Sequence, residues 1–326
     1  MTNNIKKIRL IGGAGKFGSG EIVGQVKILL DHNYVLEFHN TQGLRIFGLS
    51  ELIISLFREK KLTIFQPSIS YPAFLRDIII LIFLKLSSSP RVFLLLTRLD
   101  FKNKIMKYKF FQKIFFSNHR IISTAKHSLL DKNIHLLRQF IPSTYIQKNN
   151  QRSNKIFKDM VLCHFGYLEE FKGFKTFISI SKRNPQLNFL AIGQYLKKRR
   201  NYSVTKYKNL EIVETTNKKS FKSEIINNNL KSDLIFLFCS KQDLSPLVIL
   251  ECGNLGIPIV CFEGSVSEEI LNNYLPMGCY VSLKDLNEIS SSNFNLELKR
   301  SISRMDLYLN ELTLKNFSED FLKAIS

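Results

Sequence analysis

Residues 5–38 read IKKIRLIGGAGKFGSGEIVGQVKILLDHNYVLEF. Ile5 to Ile11 is a short apolar run closed by Gly12 and Gly13, the pattern of a buried strand. Beyond the glycines, Ile22, Val23, Val26, Leu29 and Leu30 share one face of a helix over Glu21 to Leu30, and Tyr34 to Phe38 supplies a second strand. Strand, glycine loop, helix and strand in that order open a parallel α/β sheet.

The alternation continues outward. It predicts a helix near Glu51 to Lys60, a strand Leu62 to Phe65, a helix Ala73 to Leu86 and a strand Val92 to Leu96. Short strands His119 to Ser123 and His135 to Ile141 flank a helix over Ala125 to Asp131. Residues 146–159, IQKNNQRSNKIFKD, are polar with little apolar periodicity and read as a linker. A second series then begins, with strands Val161 to Phe165, Leu187 to Ile192, Leu210 to Val213, Asp233 to Phe238, Ile257 to Phe262 and Cys279 to Ser282. A last helix, about Asn295 to Ile325, has no strand after it. The expected organisation is a first doubly wound domain over 1–145, the linker 146–159, a second domain over 160–294, and a helix over 295–326 that packs back on the first domain. In such sheets ligands lie in the crevice at the carboxyl ends of the strands.

Composition narrows the function classes. The 326 residues carry a formal charge of +20, which suits an anionic membrane surface, a polyphosphate-bearing substrate, or a solvated basic surface with no specific partner. Nucleic acid is set aside because no helix-turn-helix, zinc finger or RNA-binding sheet signature is present. Five cysteines without a CxxC pair read as reduced core residues of a cytoplasmic protein, and no metal site is expected. The N-terminal apolar stretch runs straight into the glycine loop, so neither a signal peptide nor a membrane anchor is expected. The longest apolar run, Ile78 to Leu86, includes Lys85 and is too short to span a bilayer.

Chemistry concentrates in residues 239–269, CSKQDLSPLVILECGNLGIPIVCFEGSVSEE. Ser245 and Pro246 form an N-cap and first-turn pair, and Gly253 or Gly256 with Pro258 stops the helix they start. The free amides at that end, including those of Leu247 and Val248, suit a diphosphate through unpaired N–H groups and the helix dipole. Asp243 and Glu251 bracket the helix start, which suits acceptors for sugar and ribose hydroxyls, and from this stretch alone Glu251 equally suits an ion pair with a neighbouring lysine.

The stretch resembles the signature of the retaining group-1 glycosyltransferases of GT-B architecture, in which two acidic residues separated by seven others precede a Gly-x-Pro turn. Here these are Asp243, Glu251 and Gly256-Ile257-Pro258, with Ser240, Gly264 and Glu268 also at matching places. FGYLEEFKGFKTFISI at 165–180 resembles the family's glycine, loop, Lys-Gly and helix pattern, so that Gly166 and Lys172 correspond to donor-binding positions. Tyr167 stands where the family has a second cation, and Thr97 and Arg98 stand where it often has a histidine. IPSTYI at 141–146 resembles the end of its first domain, where a Pro-Asn-Gly turn is usual. The resemblance implies two Rossmann-like domains facing across a cleft. It also implies transfer of a hexose-type sugar, with retention, from a UDP- or GDP-linked donor to a glycan or lipid-linked acceptor in surface-polysaccharide synthesis. Lys172, Asp243 and Glu251 would be the catalytic groups. Gly18, Gly20, Gly166, Ser245, Leu247 and Val248 would join them in holding the donor, and no cofactor is implied.

Two other readings compete. GAGKFG at 13–18 fits a dinucleotide fingerprint, and Glu37 stands where a ribose-binding acid belongs, which keeps an NAD-dependent oxidoreductase open. A non-catalytic basic binding module is the other. Lys102, Lys109 and Lys113, interleaved with aromatics from Tyr108 to Phe116, suggest peripheral contact with the anionic inner face of the plasma membrane, or a partly buried helix with a basic edge. The six histidines are scattered and read as structural or surface residues.

Overall fold

The computed structural model describes residues 7–13, 19–41, 46–59, 61–67, 73–87, 92–96, 120–123, 134–136, 157, 159–195, 207–241, 247–312 and 314–325. They divide into two units, Met1–Gln139 with Lys315–Ser326, and Phe140–Leu314. The basic aromatic segment at 102–116, the Thr97-Arg98 pair, the helix expected at 125–131 and the 141–146 motif lie outside the described residues.

In the first unit the described strands are β1 (Lys7–Gly12), β2 (Val35–Asn40), β3 (Leu62–Phe65), β4 (Val92–Leu96), β5 (Arg120–Ser123) and β6 (Ile134–Leu136). They pair in the order β2-β1-β3-β4-β5-β6, all parallel. Helices α1 (Ser19–Asn33), α2 (Ile46–Arg58) and α3 (Ala73–Leu86) connect the early strands. Leu52 and Leu56 of α2 and Ile80, Leu81 and Leu84 of α3 meet Ile11, Phe65 and Leu94 in one core, so both helices cover the same sheet face. The chain leaves β1 toward β2 on one side and toward β3 on the other, which makes the β1/β3 boundary the switch point.

The second unit contains β7 (Met160–Tyr167), α4 (Phe174–Arg183), β8 (Asn188–Gln194), β9 (Leu210–Glu214), α5 (Lys218–Lys231), β10 (Asp233–Leu237), α6 (Leu247–Asn254), β11 (Ile259–Phe262), α7 (Val266–Tyr274), β12 (Val281–Leu283) and α8 (Ser292–Glu311). Its sheet runs β12-β11-β10-β7-β8-β9, again parallel, with the switch point between β7 and β10. Strands covered on both faces read as unbroken apolar runs, and here they alternate between two cores. Cys163, Phe165 and Phe236 face the core that takes Ile249 and Leu250 of α6, and Leu162, Ile235 and Leu237 face the one that takes Phe174 and Phe177 of α4. Phe157, from the segment expected as a linker, is buried in this second core. Caps set the helix starts. The Asn217 side chain accepts the Ser220 N–H at 2.9 Å, and Ser265 and Ser291 do the same for Glu268 and Phe294.

The single helix expected from 295 to 325 is two helices. α8 ends at Glu311, and its C-cap Leu312, whose side chain is buried in the core, leaves the helical region (φ −83°, ψ 58°). The second, α9 (Leu314–Ile325), belongs with the first unit and buries Phe317 and Phe321. Among the described residues no helix is long and apolar enough to cross a bilayer.

Glu37 sits in mid-strand, opposite Arg9 in the β1–β2 register. Its carboxylate accepts from Arg9 Nε at 3.1 Å and Lys61 Nζ at 2.7 Å, and meets His39 Nε2 at 2.7 Å. Burial alone would raise its pKa, yet the hydrogen bonds from Lys61 and His39 and the Arg9 charge outweigh that and bring it to about 2. The folded pKa lies below the ordinary value of 4.5, so this stabilisation is complete above pH 4.5 and is lost as the pH falls toward 2. Glu37→Gln should lower unfolding stability at pH 7 by about 2 kcal/mol, a figure held down because water reaches part of the carboxylate. Urea titrations of both proteins at pH 7 and pH 3 should show the difference shrinking at the lower pH.

Candidate functional site

At the second switch point β7 ends in Phe165-Gly166-Tyr167. Gly166 has φ 120°, and its carbonyl lies 1.8 Å from where a Cβ on Gly193 would sit, so β8 packs against this end without a side chain between. A 3-10 turn over Glu170–Lys172 follows, closed by Gly173 N–H donating to the Glu170 carbonyl at 2.9 Å. Gly173 is left-handed at φ 82°, and a Cβ there would stand 1.9 Å from the Cys239 carbonyl oxygen. The Lys-Gly pair is thereby explained locally: the turn presents Lys172, and only glycine lets it close against the neighbouring loop. Lys172 is half-buried, its ammonium 5.9 Å from the centre of the Phe171 ring.

The neighbouring loop follows β10. Lys241 N–H donates to the Phe171 carbonyl at 3.3 Å, and the Ser240 hydroxyl lies 3.5 Å from the same oxygen. Ser267, at the start of α7, donates to the Ser240 carbonyl at 2.9 Å. Three loops, after β7, β10 and β11, are therefore joined at the carboxyl edge of the sheet. Glu268 accepts the Gly264 N–H at 2.7 Å and the Ser282 hydroxyl at 2.6 Å, which holds the third loop in shape.

Helix α6 begins at Leu247, and Asp243, Ser245 and Pro246 just before it lie outside the described residues. Leu247 and Val248 pack their side chains against the core, so what they offer a ligand is first-turn backbone N–H, which no carbonyl within a helix can satisfy. Glu251 is half-exposed between the buried Leu250 and Cys252. Gly256 (φ 67°) ends the helix, with Ile257 N–H donating to the Cys252 carbonyl at 3.0 Å. In the first unit, Gly18 lies outside the described residues and Gly20 is the second residue of α1.

Two residues need a different account from the one their sequence positions suggest. Glu37 stands in the middle of β2 with its oxygens engaged by Arg9, Lys61 and His39, so it is not a free acid for a ribose. His164, one of the scattered histidines, is buried beneath the Lys172 turn between Phe174 and Phe177, with ring centroids 5.4 and 5.5 Å away. A carbonyl can only accept, so its Nε2–H donates to the Tyr167 carbonyl at 3.2 Å. Burial pushes its pKa down to about 4 against the pull of that bond, with Lys172 adding to the depression, and the ring is neutral at pH 7. The only sequence signal was its place two residues before Gly166 in a buried strand. The cysteines are buried, and burial pushes the Cys239 and Cys261 thiols up to about 12, which leaves them protonated packing groups.

The two glycines of the turn separate backbone strain from contact. Gly166→Ala meets open space and should cost about 1–3 kcal/mol for its φ alone. Gly173→Ala adds the collision with Cys239 and should cost more than about 3 kcal/mol, read as the larger fall in thermal unfolding temperature.

No family model and no curated protein matches the sequence. Among solved structures the chain is similar to a glycosyltransferase from Rickettsia africae ESF-5 (TM-score 0.61, 12% identity, 99% of this chain and 98% of that one). It is similar to Anabaena HepE in complex with UDP-glucose (TM-score 0.59, 12% identity, 98% and 99%). It is also similar to an alpha-glucosyltransferase in complex with UDP (TM-score 0.53, 12% identity, 98% and 100%). These likenesses span both units, each with its own parallel sheet, and the chain has the α/β GT-B fold of two Rossmann-like domains.

Proposed function

We propose that this chain is a glycosyltransferase that moves a hexose-type sugar, with retention, from a UDP- or GDP-linked donor onto a glycan or lipid-linked acceptor of a surface polysaccharide. The observation that carries the reading is the Lys172 turn, clamped to the loop after β10 at the switch point of the second sheet. Ligands of open α/β sheets lie at that edge. Solved neighbours that hold UDP-glucose or UDP support a nucleotide-diphosphate donor.

In this reading the Lys172 ammonium neutralises the donor diphosphate, whose negative charge grows as it leaves. The first-turn amides of α6, at Leu247 and Val248, add dipole and hydrogen bonds. Glu251 holds ribose hydroxyls and Asp243 the donor sugar, while Gly166 and the glycine positions Gly18 and Gly20 let backbone approach the donor. The acceptor oxygen forms its bond to the anomeric carbon on the face from which the diphosphate departs. The bonding pair of the broken carbon–oxygen bond goes to the diphosphate, and a phosphate oxygen takes the hydroxyl proton. Tyr167 replaces a second cation, so Lys172 carries more of the charge compensation than a paired site would require. The place of action is the cytoplasm, with peripheral contact at the anionic inner face of the plasma membrane for a lipid-linked acceptor.

A thermal-shift panel of UDP, GDP, their sugar conjugates and NAD tests this. One nucleotide diphosphate series should raise the melting temperature and NAD should not. Lys172→Ala and Glu251→Ala should each weaken nucleotide affinity about 10- to 100-fold, with little change in the unliganded melting temperature. Wild-type affinity in both variants, or stabilisation by NAD alone, would overturn the proposal.

A further inference from the structure

Helix α3 reads AFLRDIIILIFLKL, apolar almost all the way round. A helix of that composition is ordinarily buried on every side. Here one side meets the sheet through Ile80, Leu81 and Leu84, and the opposite side carries Leu75, Ile79, Ile82 and Leu86 in an i, i+4, i+7, i+11 stripe, 39–63% exposed. Its polar residues do not break the stripe. Asp77 is fully buried and bonded by Arg76 at 2.8 Å, and Arg76 also donates to the Thr41 carbonyl at 2.6 Å. The ridge continues onto α2. Phe83 meets Phe57 edge to face, with centroids 6.1 Å apart, and Phe57 and Ile54 are 53% and 49% exposed.

The surroundings of this ridge point to one kind of occupant. Among the described residues the ridge is seven apolar side chains on two helices, a narrow strip beside the roughly 20–30 residues that each side of a stable protein interface contributes. A bilayer has no fixed footprint to fill: binding grows with whatever apolar surface enters it and adds to the attraction of basic side chains for anionic headgroups. Arg58 and Lys85 are exposed in the last turns of α2 and α3. Glu59 is taken up by Lys61 and Lys7, at 2.7 and 3.7 Å, and the exposed acid left on the two helices is Glu51. Long basic side chains at the rim of an apolar face reach headgroups while their stems stay in the apolar layer. The formal charge of +20 draws the whole chain to an anionic surface.

We infer that the α2–α3 ridge is the surface by which this protein docks on an anionic lipid bilayer. Ile82 and Leu86 enter the acyl boundary, and Arg58 and Lys85 meet lipid phosphates. The inference rests on the membrane part of the proposed function and on no residue of the second unit.

Flotation of the full chain with vesicles of 70% phosphatidylcholine and 30% phosphatidylglycerol tests it, with pure phosphatidylcholine vesicles as the second arm. The wild type should float with the anionic vesicles and stay behind with the neutral ones. Ile82→Ser with Leu86→Ser should lower the bound fraction about tenfold or more. Arg58→Glu with Lys85→Glu should lower it to a similar degree and leave the remainder less sensitive to salt. Both pairs are exposed, so melting temperature and the shift produced by UDP or GDP should match the wild type, which separates failure here from failure of the donor reading. Equal flotation of the wild type and the Ser variant, or no flotation of the wild type, would overturn the inference. So would sedimentation showing a dimer that the Ser variant breaks.

Discussion

The second unit depends on a close approach between two loops. Gly173 and the Cys239 carbonyl share a space in which one added carbon would lie 1.9 Å from oxygen. Strands β7 and β10 are neighbours in the sheet, so the loops that leave their carboxyl ends meet, and at their closest point only a residue without a side chain fits. Once that contact is made, Lys241 N–H reaches the Phe171 carbonyl and the 3-10 turn is locked with Lys172 at its last position. The position of one cation thus follows from backbone packing at the sheet edge.

The first unit uses charge where the second uses shape. Arg9 is fully buried in a central strand, donating to Glu37 and, at 2.8 Å, to the Ser55 carbonyl. Such a pair contributes little net stability over an apolar isostere, since desolvation offsets most of its attraction. Removing one partner alone leaves a buried charge uncompensated, and that is costly. Arg9 and Glu37 stand directly opposite in the parallel register, so a slip of β2 by one residue would break the pair. The same engagement removes Glu37 from any role at the glycine loop.

Charge acts on two scales. Near the switch point Lys172 stands close to a neutral, buried His164, whose ring is held by the Tyr167 carbonyl. Across the chain the excess of 47 basic over 27 acidic residues gives a long-range field that attracts polyanions and anionic surfaces without choosing among them. Specificity has to come from placed groups, which is why the turn and the helix start matter more to the proposed chemistry than the net charge.

The α/β architecture was legible in the sequence because strands covered on both faces must be continuous apolar runs, and because caps and glycines mark where helices start and stop. Leu62 to Phe65, Ala73 to Leu86 and Val92 to Leu96 coincide with β3, α3 and β4. Gly173 after Lys172 was legible as a motif, and its cause was not, since the carbonyl it must clear lies 66 positions further on, at Cys239. Periodicity also carried one helix through Leu312, which is buried and has a backbone outside the helical region. The fate of Glu37, the burial of His164 and the exposure of the outer face of α3 are likewise properties of neighbours distant in the chain. A sequence determines what each segment prefers to bury and where its backbone can turn; only the tertiary structure decides which polar groups are already satisfied and which apolar faces are left over, because both depend on contacts that local pattern does not encode.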